Sequence, residues 1–205
     1  MQIAKVILAA GQSSRFNGCK LIADVGNKPM ICRAVDTLQG DDTSPIYVVS
    51  GAWHAQIEDV LDSYKNVEIL HNPDWRVGLG KSIALATKVI SNAHALDGIL
   101  FMLADQVALR TTDINTLIDH FKNKPSRWCA DYGKRIGVPA IFPASDFKTL
   151  TALNCDKGAQ HLLRNTKAEV NTILFRDAGI DIDTQQQLKH FINNNNNNNS
   201  LAAFK

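Results

Sequence analysis

The sequence predicts an α/β fold, a mostly parallel central sheet flanked by helices, on two observations. Short apolar runs alternate with helix-length amphipathic segments, and most of the runs are continuously apolar, as strands buried on both faces are. The connections between them carry Gly, Asn and Asp, as strand–helix turns do. In chain order the strands are expected at Ile3–Ala9, Ile46–Ser50, Val67–His71, Gly98–Leu103, Val138–Phe142 and Glu169–Phe175. Helices are expected at Met30–Gln39, opened by Pro29, at Trp53–Ser63, at Leu79–Ala93, and at Thr112–Lys122, capped by Thr111. Each has apolar residues at i, i+3 and i+4. In sheets of this kind ligands bind beyond the carboxyl ends of the strands. The functional residues are therefore expected just after Ala9, Ser50, His71, Leu103 and Phe175.

At 205 residues, 45% hydrophobic and 20% charged, the chain has room for one domain and a core that needs no staples. A net charge of +2 is too balanced for a protein that grips a nucleic-acid backbone, so no nucleic-acid partner is expected. Cys19, Cys32, Cys129 and Cys155 lie far apart, without CxxC or zinc spacing, which argues against a disulfide framework. The first apolar run breaks at Gly11, so it reads as neither signal peptide nor membrane span, and a cytoplasmic location is expected. Residues 1–192 are read as the domain. Residues 193–205, beginning with seven asparagines, are read as a low-complexity or disordered tail with no apolar face to bury.

The first strand runs into Leu8-Ala9-Ala10-Gly11-Gln12-Ser13-Ser14-Arg15, with Lys20 five residues on. Small residues at 9–11 let the backbone bend and turn its amides toward an anion. Arg15 and Lys20 add two cations to the same loop, which suits a nucleoside triphosphate. Cys19 lies between these cations, which predicts a lowered thiol pKa. Gly78-Leu79-Gly80-Lys81-Ser82 ends like a Walker A loop, but Trp75 stands where that motif needs its first glycine. It is read instead as a loop whose glycines let backbone approach a planar base, with the Ser82 hydroxyl facing it. The six histidines are scattered, without HxxxH spacing or a triad-like Ser or Cys neighbour.

Leu8–Lys20 resembles the LAAGxSxRxGxxK signature of the MobA-like nucleotidyltransferases, which include the molybdenum-cofactor cytidylyl- and guanylyltransferases. Asn72–Ser82 is similar to the family's N-x-x-W-x-x-G-x-x-x-S segment, Leu103–Gln106 to its LADQP, and Gly137–Phe142 to its GxPxLF. Asp156–Ala159 is similar to its GDxGA and Asp181–Thr184 to its DIDTPEDL. The chain departs at Asn17, which fills a glycine slot, and at Val107, Val138, Cys155 and Gln185. The resemblance spans residues 3 to about 188 and implies a single Rossmann-like nucleotidyltransferase domain. It implies transfer of a nucleoside monophosphate from an NTP to a phosphorylated acceptor, molybdopterin or its molybdenum-loaded form, and hence a molybdoenzyme as recipient of the product. CTP is favoured over GTP, because cytidylyltransferases of the family tend to carry the Ala9-Ala10-Gly11 form of the loop. A sugar or polyol phosphate as acceptor, and a non-catalytic nucleotide-binding accessory protein, stay open.

Asp105 follows a buried strand, and Asp183 follows the last strand. Two hard oxygen ligands from separate strand ends suit Mg²⁺, with phosphate oxygens and water completing its octahedron. The family likewise implies a metal-binding aspartate at Asp105. Asp181 is the alternative partner, and Asp183 could instead cap the next helix. The expected catalytic residues are Lys20, Arg15 and Asp105. The expected nucleotide-binding residues are Leu8, Ala9, Ala10, Gly11, Arg15, Lys20, Gly78 and Ser82. Gln106 and Lys157 are expected to face the acceptor.

Overall fold

The computed structural model describes residues 1–40, 44–133, 135–164 and 169–202. Its strands are β1 (Ile3–Ala9), β2 (Ile46–Ser50), β3 (Val67–His71), β4 (Gly98–Leu103), β5 (Arg127–Asp131), β6 (Ile136–Pro143) and β7 (Val170–Leu174). They form one sheet in the order β3-β2-β1-β4-β6-β5-β7. β1 to β4 run parallel to one another, β6 pairs antiparallel with both β4 and β5, and β7 is parallel to β5. Consequently the carboxyl ends of every described strand except β6 share one edge, and β6 brings its amino end, Ile136–Val138, to that edge.

The central strands are buried on both faces because they are apolar at every position. In β1, Ile7 and Ala9 pack into one core layer while Ala4, Val6 and Leu8 pack into the other. Lys5 is the exception within this strand. It is only 4% exposed, and its ammonium donates to the Leu38 carbonyl at 2.8 Å. The first layer is covered by α1 (Met30–Gln39), α2 (His54–Leu61) and α4 (Thr111–Asn123), the second by α3 (Leu79–Ala93), α5 (Phe147–Thr151) and α6 (Gln160–Leu163). The outer strands β3 and β7 alternate between half-buried and exposed residues, as strands at sheet edges do.

Two expectations need correction. β5 was not foreseen, because Arg127-Trp128-Cys129-Ala130-Asp131 offers only Cys129 and Ala130 as fully buried apolar residues. The cap of α4 is Arg110 rather than Thr111, in a reciprocal arrangement in which the Asp113 carboxylate accepts from the Arg110 backbone at 3.0 Å. The last helix, α7, runs from Gln185 to Ala202. Residues 203–205 of the expected tail lie outside the described residues.

Candidate active site

A cleft of about 420 Å³ opens where the carboxyl ends of β1 and β4 meet the start of α3. Its floor is the loop after β1. Leu8, Ala9 and Ala10 are buried at its root, and Phe16 drops into the core as an anchor. The loop turns through Ser13 and Asn17, both with positive φ (56° and 57°). That explains the departure at Asn17, since asparagine tolerates the left-handed region better than most side chains. Between and beyond these turns the loop presents Arg15 and Lys20 to the cleft.

Four charges from distant parts of the chain meet there. The Lys20 ammonium lies 2.5 Å from Asp105 Oδ2 and 3.1 Å from Asp183 Oδ1, and Arg15 Nη2 lies 2.8 Å from Asp183 Oδ2. Burial alone would lower the Lys20 pKa, but the charge and hydrogen bond of Asp105, with help from Asp183, hold it above the ordinary lysine value. Burial would raise the Asp183 carboxyl. The hydrogen bond and charge of Lys20, followed by Arg15, outweigh that and hold it below the ordinary carboxylate value. Asp105 does not act as a turn cap, because its Oδ2 meets Lys20 and no backbone amide reaches its Oδ1. Nor does Asp183 cap α7. Thr184 Oγ1 accepts from the Gln187 amide at 3.2 Å while Gln187 Oε1 accepts from the Thr184 amide at 2.9 Å, a capping box formed by Thr184 and Gln187.

Mg²⁺ fits these residues. Asp105 Oδ1 is buried without a hydrogen-bond partner, a carboxylate oxygen left over for a cation or its water. Among the described residues no three His, Cys, Asp or Glu side chains cluster as a metal cage. Such an arrangement suits an ion held by one or two carboxylates plus substrate phosphates. Asp181, the other candidate ligand, turns elsewhere. Arg135 reaches its carboxylate at 3.1 Å, and burial, together with the charges of Asp105 and Asp183, raises its pKa.

The far end of the cleft is formed by Trp75, Arg76, Gly78, Leu79 and Ser82. Ser82 is nearly inaccessible, and its hydroxyl accepts a hydrogen bond from the buried Asn72 amide at 3.0 Å, leaving one O–H to donate. The Arg76 guanidinium covers the Trp75 ring at 4.4 Å. Gly51 wedges between this segment and the β1 loop. A Cβ there would fall within 2.8 Å of the Ala10 methyl and 2.7 Å of Trp75 Cβ. Trp53 braces the loop from outside by donating its indole N–H to the Gln12 carbonyl at 2.9 Å. No motif in the sequence singled out Gly51 or Trp53.

A second cavity of about 190 Å³ adjoins the cleft across Leu79 and Leu103. It holds both expected acceptor residues, Gln106 and Lys157, together with Tyr132, Arg135 and Asp181. Gln106 is 4% exposed and works as a brace. Its Nε2 donates to the Val138 carbonyl at 2.8 Å and its Oε1 accepts from the Leu103 amide at 3.2 Å. The Tyr132 hydroxyl also donates to the Val138 carbonyl, and burial raises its pKa. The rest of the wall is largely apolar, with Ile83, Phe101, Phe142 and Leu163.

Two further expectations change. Cys19 is buried, and desolvation raises its thiol pKa, outweighing the hydrogen bonds from the Leu21 and Ile22 backbone. Ser50 does bond His54 Nδ1 at 2.9 Å, but its side chain is fully buried and can meet no substrate.

The match to known families covers residues 5–170 and is to the MobA-like NTP transferase domain. No curated protein sequence is significantly similar to the chain. Among solved structures, Rv0371c from Mycobacterium tuberculosis H37Rv, in complex with manganese, superposes with a TM-score of 0.73 at 19% identity, over 94% of this chain and 99% of that one. A nucleotidyl transferase from Methanothermobacter thermautotroptrophicus (Mth528) gives 0.77 at 17% identity, over 94% and 99%. CMP:2-keto-3-deoxy-manno-octonic acid synthetase complexed with CTP gives 0.73 at 14% identity, over 94% and 97%. At these identities the likeness is one of fold. Among the described residues no helix is long and apolar enough to cross a membrane.

Proposed function

The chain belongs to the family of MobA-like NTP transferase domains, and from that premise we propose that it transfers CMP from CTP to the phosphate of molybdopterin, or of its molybdenum-loaded form, releasing pyrophosphate. The observation that carries this reading is the meeting of Lys20 and Arg15 with Asp105 and Asp183 beneath a glycine-containing loop. An oxygen of the acceptor phosphate attacks the α-phosphorus in line. That bond forms as the bond from the α-phosphorus to the bridging oxygen breaks, and the electron pair leaves with pyrophosphate. Lys20, Arg15 and the loop amides hold the β- and γ-phosphates and neutralise the charge that develops on the leaving group. Asp105 and Asp183 would hold Mg²⁺, which supplies charge neutralisation and Lewis acidity at the phosphates. Its fit rests on the orphaned Asp105 oxygen.

Two further features support the acceptor and the nucleotide. The second cavity pairs an apolar wall with Lys157 and Arg135, which suits a flat-bodied acceptor carrying a phosphate better than a polyol that needs many hydrogen-bond partners. Ala10 lines the root of the cleft, where a methyl leaves less room than a glycine would, and this supports a pyrimidine over a purine. One methyl discriminates by about 1–3 kcal/mol, or roughly 10–200-fold. The test is pyrophosphate release from each of the four NTPs with molybdopterin as acceptor, where CTP is expected to lead. Stoichiometric nucleotide binding without pyrophosphate release would overturn the enzyme reading. Turnover with a sugar phosphate but not molybdopterin would overturn the acceptor. If CTP leads and Ala10→Gly leaves the CTP:GTP ratio unchanged, the steric account fails while the substrate stands.

A further inference from the structure

The loop Cys155–Gly158 joins α5 to α6, and two of its neighbouring residues face different cavities. Asp156 lines the nucleotide cleft and Lys157 lines the second cavity. The loop is pressed onto the first turn of α3. The Gly80 amide donates to the Cys155 carbonyl at 2.9 Å. A Cβ on Gly80 would come within 2.7 Å of that carbonyl oxygen, and one on Gly78 within 2.5 Å of Asp156 Cα. Backbone thus meets backbone with no room for a side chain, and the two glycines determine where Asp156 stands.

We infer that Asp156 is a specificity-determining residue of the nucleotide site, its carboxylate accepting hydrogen bonds from the nucleoside's own donors, the ribose hydroxyls or an exocyclic amine of the base. This rests on the nucleotidyltransferase reading. The charges of the cleft support it. Asp105 and Asp183 are neutralised by Lys20 and Arg15, whereas among the described residues no ion pair includes Asp156. An uncompensated carboxylate repels a triphosphate, so the phosphates belong at the Lys20 end and Asp156 is left facing neutral donors. Asp156 touches Gly78, which heads the helix turn carrying Ser82 and follows the Trp75 segment, whose one cation, Arg76, lies over the Trp75 ring. An ionised carboxylate can only accept hydrogen bonds. Nucleosides that lack a donor there, a 2′-deoxyribose or a uracil, lose the contact.

The experiment is titration calorimetry in Mg²⁺ with CTP, dCTP, UTP and tripolyphosphate, on the wild type and on Asp156→Ala. The variant is expected to bind CTP about tenfold more weakly or worse, the usual cost of losing a hydrogen bond to a charged group. Tripolyphosphate binding is expected to stay unchanged. If dCTP escapes the loss, the contact is to ribose; if UTP escapes it, the contact is to the base amine; either supports the assignment. Equal weakening of tripolyphosphate would overturn it by placing Asp156 at the phosphates or their metal. CTP affinity unchanged in the variant would overturn it outright. Should Asp156→Ala fail to fold, Asp156→Asn, which retains one accepting oxygen, is read by the same ratios. A wild type that binds none of the nucleotides fails the nucleotidyltransferase reading itself, which is distinct from nucleotide binding that ignores Asp156.

Discussion

Lys20 shows how one side chain can hold a site together before any substrate arrives. Its ammonium is shared between Asp105, 85 residues away in sequence, and Asp183, 163 residues away. The loop motif made Lys20 legible as a cation of the cleft. Its partners were legible only as carboxylates at strand ends, because their meeting depends on the order of the strands. Asp181 and Asp183 could not be told apart in sequence, since what separates them is that Arg135 bonds Asp181 while Lys20 and Arg15 bond Asp183. Gln106 was legible as a pocket residue but not as a brace, because its two hydrogen bonds go to backbone that only the fold brings near. Removing the Lys20 charge should cost turnover far more than structure. Lys20→Ala is expected to lower kcat by about 100–1000-fold, the loss of roughly 2.7–4 kcal/mol of transition-state stabilisation. Steady-state pyrophosphate release, with circular dichroism as the control for fold, measures it. A rate within about threefold of wild type would remove Lys20 from the chemistry.

At the scale of elements, the parts most plainly written in the sequence are those with nearly continuous apolar runs, β1, β2 and β4. Their burial on both faces leaves no other reading. β5 hid because its polar ends are tied down by neighbours rather than by burial of an apolar face. Arg127, at its first position, makes a two-pronged ion pair with Asp146 at 2.7 and 2.6 Å and also donates to the Leu162 carbonyl at 2.9 Å. The side chains of the pair are only 12% and 9% exposed, so each charge depends on the other. This pair pins β5, the turn at 144–146 and α6 to one another, behind the wall of the second cavity. Breaking it from one side should destabilise the protein by about 3–5 kcal/mol, because an uncompensated charge stays buried. Urea unfolding of Asp146→Ala measures the loss. The double variant Arg127→Met with Asp146→Leu is expected to recover most of it, since a well-packed apolar pair often replaces a buried ion pair at little cost. If Asp146→Ala loses less than about 1 kcal/mol, the pair behaves as an exposed one and the pinning argument fails.

Taken whole, the molecule gathers its candidate site residues along one sheet edge and leaves the described part of α7 free of them. Leu188 is buried in α7, and Phe191 and Ile192 pack against the same core layer, whereas the asparagines that follow contribute no apolar side chain. We therefore expect a chain ending at residue 192 to keep its melting temperature within about 2 °C and its nucleotide affinity unchanged, since less than about 1 kcal/mol is then at stake. A larger fall would show that residues 193–205 belong to the domain rather than to a tail.

The segment just before α7 is another matter, because the site draws its charges from the loop after β1, the end of β4 and the stretch after β7. A ligand that engages all three should stiffen the whole molecule. A ligand that binds only the folded state at about 100 times its Kd stabilises by roughly 2.7 kcal/mol. In a domain of this size 1 kcal/mol moves Tm by about 2–4 °C, so CTP with Mg²⁺ is expected to raise Tm by about 5–11 °C. Mg²⁺ alone should do far less. Lys20 already neutralises both carboxylates through Asp105 Oδ2 and Asp183 Oδ1, which leaves a lone cation only Asp105 Oδ1, whereas phosphates offer the ammonium another partner. Scanning calorimetry with Mg²⁺ alone, CTP with chelator, and both together separates these states. The combined shift is expected to exceed the sum of the two separate ones. In Lys20→Ala the carboxylates lose that ammonium, and Mg²⁺ alone should then produce a measurable shift of its own. If Mg²⁺ alone reproduces the full shift in the wild type, the lysine does not guard the carboxylates, and metal and nucleotide bind independently.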